Sequence, residues 1–158
     1  MPGVVKKVMK AESATSCYVA LVQSLRDSMH LYQQTLLVHW NLMGGKFYSI
    51  HKLTQEIYED MQDGIDVIAE HIRSLDTATP KTVEDLTYST MPGVSLDDSF
   101  NQEVILRQLA ANHNLLADRF EKLAKLSEGV DDQLTLDLAV ERGRVHKKFQ
   151  WLLKSNLG

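Results

Sequence analysis

Ser49–Asp76, SIHKLTQEIYEDMQDGIDVIAEHIRSLD, is the stretch that decides the fold. Ile50, Leu53, Ile57, Met61, Ile65, Ile68, Ile72 and Leu75 recur at steps of three and four, the spacing of one face of an α-helix. A polar stripe runs beside that face. At roughly 100° per residue, His51, Gln55, Gln62, Asp66 and Glu70 fall within an arc of about 100°. The helix therefore needs neighbours for its apolar side and carries chemistry-bearing groups at the edge of that contact. Pro80 lies just past its end.

Upstream, Tyr18, Val22, Leu25, Met29, Tyr32, Leu36, His39 and Met43 predict a helix from about Ser13 to Met43. Ser13, Thr15 or Ser16 is its expected cap, and Gly44-Gly45 its stop. Downstream, a third helix is expected from near Asp97, Asp98 or Ser99 to just before Gly129, with Ile105, Leu109, Leu116, Phe120 and Leu123 inward. A fourth is expected from about Asp131 to Asn156, with Leu134, Leu138, Val145, Phe149 and Leu152 inward. No segment alternates with period two for long enough to predict a sheet.

Links of about five and about four residues make helices one and two, and three and four, antiparallel hairpins. Thr77 to Leu96, with Pro80, Pro92 and Gly93, is a connection of roughly twenty residues, long enough to cross the bundle. It has room for a short helix of its own around Val83–Leu86. The expected architecture is all-α: a ferritin-like four-helix bundle over 13–158 with a long crossover between helices two and three, preceded by a flexible tail at 1–12.

The chain has 158 residues, 24% charged and 44% hydrophobic, as a single globular domain requires. The net charge of −4 argues against a dedicated nucleic-acid binder. No apolar run reaches the roughly 18 residues of a membrane span, and the first residues lack a secretory signal's apolar stretch, so a cytoplasmic location is expected. Cys17 is the only cysteine, which excludes an internal disulfide and a cysteine-based zinc site.

Taken singly, His39 reads as a satisfied core histidine and Asp66 and Glu70 as a solvated helix face. Together with His51 they form a donor set for a metal. His51 and Asp66 are fifteen positions apart on one helix, so about 22 Å separates them along the axis. A metal site spans a few ångströms, because ligand bonds are near 2 Å. Two copies of the helix paired antiparallel about a two-fold axis bring His51 of one to Asp66 and Glu70 of the other, twice per dimer. His39 joins its own subunit's His51 across the short link. Two imidazoles and two carboxylates suit Fe(II) and leave positions open for an oxidant. Trp40 stands beside the site as a candidate electron donor.

His39-Trp40-Asn41, Gly44, Phe47 and His51, followed by Asp66-Val67-Ile68-Ala69-Glu70, resemble the Dps family, the DNA protection during starvation proteins. The resemblance covers nearly the whole chain. It implies a hollow shell of twelve subunits with ferroxidase sites, di-iron or mono-iron, at the two-fold interfaces. It also implies H2O2 as the preferred oxidant, storage of ferric mineral, and protection of the bacterial cytoplasm or nucleoid from oxidative damage. His39 and His51 would be ligands from one subunit, and Asp66 and Glu70 from its mate, with Glu70 bridging two irons. Two positions depart from the family pattern. Gln55 stands where an aspartate is usual, which weakens the second iron position, and His71 stands where arginine is usual. Some members bind DNA through lysine-rich tails; Lys6, Lys7 and Lys10 offer a weak version of that footprint. The alternative functions are a DNA-compacting particle whose metal sites mainly stabilise the dimer, and an oxygen-binding bundle with a self-contained di-iron site, which the ligand spacing disfavours.

Overall fold

The computed structural model describes the backbone of residues 2–97 and 101–158 and the side chains of residues 11–97 and 101–158. Its helices are α1 (Pro2–Asn41), α2 (Phe47–Ser74), α3 (Val83–Thr87), α4 (Gln102–Gly129) and α5 (Gln133–Lys154). Local chemistry sets their ends. The side chains of Thr82, Asn101 and Asp132 accept the backbone N–H of Asp85, Val104 and Thr135, satisfying donors the first turn leaves open. Gly44 stands at φ +121°, a conformation that favours glycine, where α1 turns into α2. Asp76 and Asp131 take the left-handed conformation after α2 and α4.

α1 packs on α2 and α4, and α5 on α4 and α2, which closes a four-helix ring. The crossover runs along α1, with α3 against it. Arg26 pairs with Asp85, and Gln34 Oε1 accepts the Val94 N–H at 2.7 Å. Gln102 at the start of α4 donates to the Met43 carbonyl at the end of α1 (3.2 Å), so α4 begins at the end of the bundle where α1 finishes. This is the ferritin-like arrangement that the link lengths predict, with the short crossover helix where room was expected.

Several boundaries and faces differ. α1 begins at Pro2 and not near Ser13: proline is tolerated at the first helical position, and residues 4–12 contain neither proline nor glycine. Thr15 and Ser16 do not cap it; their hydroxyls donate to the Ala11 and Glu12 carbonyls one turn back. α4 is capped by Asn101; Asp98 and Ser99 lie outside the described residues, as do the side chains of Lys6, Lys7 and Lys10. Gly129 closes the α4 helix and does not follow it. Because α1 packs against α2, α4 and the crossover helix α3, its buried face is wider than the expected stripe and includes Cys17, Leu21, Leu31, Thr35, Val38 and Leu42, leaving Met43 outside. Leu134 is exposed, and Thr135 takes the inward place.

The core also holds polar groups. Asp27, fully buried, accepts from Gln23, Ser89 and Arg119, tying the crossover and α4 to α1. Arg142 reaches from α5 to Asp60 on α2 at 2.8 Å. It crosses Gly64, where a Cβ would come within 2.5 Å of the guanidinium carbon. His113 and His146, both fully buried, meet Nδ1 to Nδ1 at 3.0 Å between Phe120 and Phe149.

Burial, with the nearby Arg142 charge, pushes His113 down to about 3; burial, then His113 and Arg142, holds His146 well below 6.5. The unfolded chain takes up protons near pH 6.5 while the folded one does not. The stability these groups contribute is therefore complete above pH 6.5 and is lost progressively as pH falls below it. Thermal unfolding between about pH 7 and about pH 4.5 should show that loss, and a His113→Leu/His146→Leu double variant should show a flatter profile. Asp27→Ala should cost about 3 kcal/mol in denaturant unfolding, because Arg119 is left half-buried without its partner.

Candidate metal centre

The α1–α2 hairpin brings His39, in the last turn of α1, against His51, near the start of α2. Their rings stack at a centroid distance of 3.8 Å, inclined by 16°. Phe47 lies on His51 at 5.1 Å, and Tyr58 meets His39 edge-on at 5.1 Å. His39 is buried and His51 half-buried.

Hydrogen bonding decides which ring nitrogen is available. His39 Nδ1 lies 2.9 Å from the His51 carbonyl oxygen, and His51 Nδ1 lies 3.1 Å from the His39 carbonyl oxygen. A carbonyl oxygen has no proton to give, so each Nδ1 must carry the hydrogen. In the neutral ring the lone pair is then on Nε2, and no hydrogen bond among the described residues engages either Nε2. The two histidines hold each other in the tautomer a metal ligand needs, through each other's backbone. Burial, then the neighbouring His51, lowers the pKa of His39, which favours the neutral form. Thr54, fully buried, adds its hydroxyl oxygen 3.0 Å from His39 Nδ1.

Asp66 and Glu70 lie further along α2, one turn apart and exposed. Among the described residues neither is engaged in a hydrogen bond or an ion pair. α2 is unbroken from Phe47 to Ser74, so the separation of about 22 Å from His51 to Asp66 stands. No three His, Cys, Asp or Glu side chains of one chain converge among the described residues. The structure thus joins the two histidines and leaves the two carboxylates apart from them, facing outward.

The remaining expected residues fall as follows. Trp40 is exposed beside His39, in an apolar rim with Met43, Phe47 and Tyr48. Gln55 is engaged within its own helix: its amide donates to Glu59 at 2.8 Å, and its oxygen faces Lys52 Nζ at 3.5 Å. His71 Nε2 lies 2.7 Å from Thr135 Oγ1 and ties the end of α2 to the start of α5. Thr54 and Tyr58 do not stand out as site residues in the sequence; the one signal for Thr54 is its place three residues after a candidate ligand on the same helix. His113 and His146 do not stand out either, because both continue apolar stripes at helical spacing.

In the metal-free protein at neutral pH, histidine 15N spectra should show His39 and His51 protonated at Nδ1. An Nε2–H tautomer at either residue would contradict this reading of the hydrogen bonds.

Residues 19–158 match the model of the Ferritin-like domain. The chain is 28% identical over 131 residues to the DNA protection during starvation protein of Helicobacter pylori strain J99, covering 83% of this chain and 91% of that one. Among solved structures it is similar to Dps from Thermosynechococcus elongatus: 22% identity, 93% of each chain, TM-score 0.86. It is also similar to the Dps protein of Vibrio cholerae, described as a member of a broad superfamily of ferritin-like diiron-carboxylate proteins: 24% identity, 91% of this chain and 90% of that one, TM-score 0.81.

Proposed function

The chain belongs to the ferritin-like family, in its Dps branch, and from that premise we propose that it is a subunit of an iron-oxidising and iron-storing miniferritin. Fe(II) is the substrate and H2O2 the preferred oxidant. Two Fe(II) ions give one electron each, the O–O bond breaks, and with two protons the products are two Fe(III) and two waters. The ferric product is stored as mineral in a shell of twelve chains, each of 17.9 kDa, about 215 kDa in all with closed symmetry.

The observation that carries this reading is the reciprocal bonding of His39 and His51, which leaves both Nε2 lone pairs free. Imidazole and carboxylate together suit Fe(II), and the two free carboxylates are on the same outward stripe of α2. His39 and His51 bind iron from one subunit, and Asp66 and Glu70 from the mate, with Glu70 bridging. Gln55 offers a weak ligand at the second position, and its bond to Glu59 must break for it to do so. Trp40 is the candidate electron donor that intercepts a stray radical. No helix among the described residues is long and apolar enough to cross a membrane, and the proposed place of action is the cytoplasm.

Gln55 also favours a second reading, in which the metal sites mainly stabilise the dimer of a DNA-compacting particle. DNA binding would then rest on Lys6, Lys7 and Lys10 repeated around the shell and would fade steeply with salt. A gel-shift titration against salt distinguishes that function from iron storage.

The test loads the protein with Fe(II) under nitrogen, adds half an equivalent of H2O2 and follows ferric absorbance. Rapid oxidation by the parent and a loss on the order of 100-fold in an Asp66→Asn/Glu70→Gln variant are expected. Equal, slow oxidation in both would overturn the ferroxidase reading.

A further inference from the structure

We propose that Thr54 is a positioning residue: its buried hydroxyl keeps the proton of His39 on Nδ1 and aims the His39 Nε2 at the metal. The inference rests on the ligand reading given under Proposed function and adds to it a residue that is not itself a ligand.

Thr54 is fully buried, so no water replaces its hydroxyl if it is removed. Its Oγ1 lies 2.8 Å from the Ile50 carbonyl and 3.1 Å from the His51 carbonyl. The single hydroxyl proton goes to one of these two oxygens, neither of which can donate. Towards His39 Nδ1, 3.0 Å away, Thr54 can then only accept. The His39 N–H is shared between this oxygen and the His51 carbonyl at 2.9 Å.

The two histidines are therefore held unequally. His51 Nδ1 has one acceptor, the His39 carbonyl; His39 Nδ1 has two, on either side of its N–H. The His51 carbonyl also lies within α2, where it serves the helix's own ladder. An imidazole held only by that shared oxygen would keep more freedom to turn about its ring axis, and a flipped ring presents carbon where the metal needs nitrogen. A hydroxyl three residues after His51 on the same helix face removes that freedom. Valine has the same branched shape but puts a methyl where Oγ1 stands, and a carbon 3.0 Å from a ring nitrogen is too close. The ring must move away and the acceptor is lost.

The test compares the parent with Thr54→Val, Thr54→Ser and Asp66→Asn/Glu70→Gln, each as the assembled protein. Co(II) is the binding probe, Fe(II) with H2O2 the activity, and histidine 15N spectra the tautomer readout. Thr54→Val should raise the Co(II) Kd and the Fe(II) KM by about 10- to 100-fold, lower kcat less, and give His39 mixed tautomers with His51 unchanged. Thr54→Ser should restore the parent's Kd, KM and tautomer, which a purely structural loss of the threonine methyl would not do. Parent-like binding and tautomer in Thr54→Val would overturn the proposal, and so would a Thr54→Ser variant as impaired as Thr54→Val. If Asp66→Asn/Glu70→Gln binds Co(II) as the parent does while the Thr54 variants behave as expected, the inter-subunit reading fails and the role of Thr54 towards His39 remains.

Discussion

An α-helix rises about 1.5 Å per residue and does not shorten. That constraint governs everything proposed for this chain. α2 carries His51 near its start and Asp66 and Glu70 well past its middle, and it is continuous between them. The hairpin with α1 supplies a second imidazole at one end but brings nothing to the carboxylates at the other. A bundle that fixes its helices firmly also fixes this separation, so flexibility within the subunit cannot close a four-ligand site. A second copy of α2, running the other way, can. The exposed carboxylates and the apolar rim of Trp40, Met43, Phe47 and Tyr48 are the surface such a copy would meet.

The rest of the fold holds α2 straight and its ends in place. His71 fastens the far end of α2 to Thr135 at the start of α5. Arg142, lying across Gly64, fastens its middle to α5 through Asp60. Asp27 locks the crossover and α4 to α1. At the near end His39 and His51 bond each other's backbone, so the contact that orders the hairpin is the same one that sets the tautomers of both rings. Buried polar groups of this kind add little net stability but leave few alternative packings, because each unpaired alternative costs the desolvation of a charge or a ring nitrogen.

Much of this was legible in the sequence. The period of α2, the two short links and the long crossover suffice for a ferritin-like bundle, because each is a local pattern with a geometric consequence. The axial separation of His51 from Asp66 and Glu70 follows from their positions in the chain alone. What was not legible depends on neighbours. The buried face of α1 is wider than its stripe in the sequence because α4, a second long partner, enters only in three dimensions. Leu134 reads inward from apolar spacing alone, but the buried face of α5 runs through Thr135, Leu138, Arg142, His146, Phe149 and Leu153, and three of these are polar groups that the apolar pattern does not select. Thr54 reads in the sequence as an ordinary helix threonine; its part depends on a hydroxyl proton directed to a carbonyl one turn back. His113 and His146 read as two more positions on apolar stripes, and their pairing appears only when α4 and α5 pack.

The inter-subunit site is tested most directly by mixing two inactive variants. One chain carries His39→Ala/His51→Ala, the other Asp66→Asn/Glu70→Gln, and the two are co-assembled from unfolded or dissociated subunits. A mixed dimer then has one site with all four native ligands and one with none. With random pairing about a quarter of the sites are restored, so peroxide-driven Fe(II) oxidation should recover to about a quarter of the parent's rate while each variant alone stays inactive. No recovery in shells shown to contain both chains would contradict a site shared between subunits.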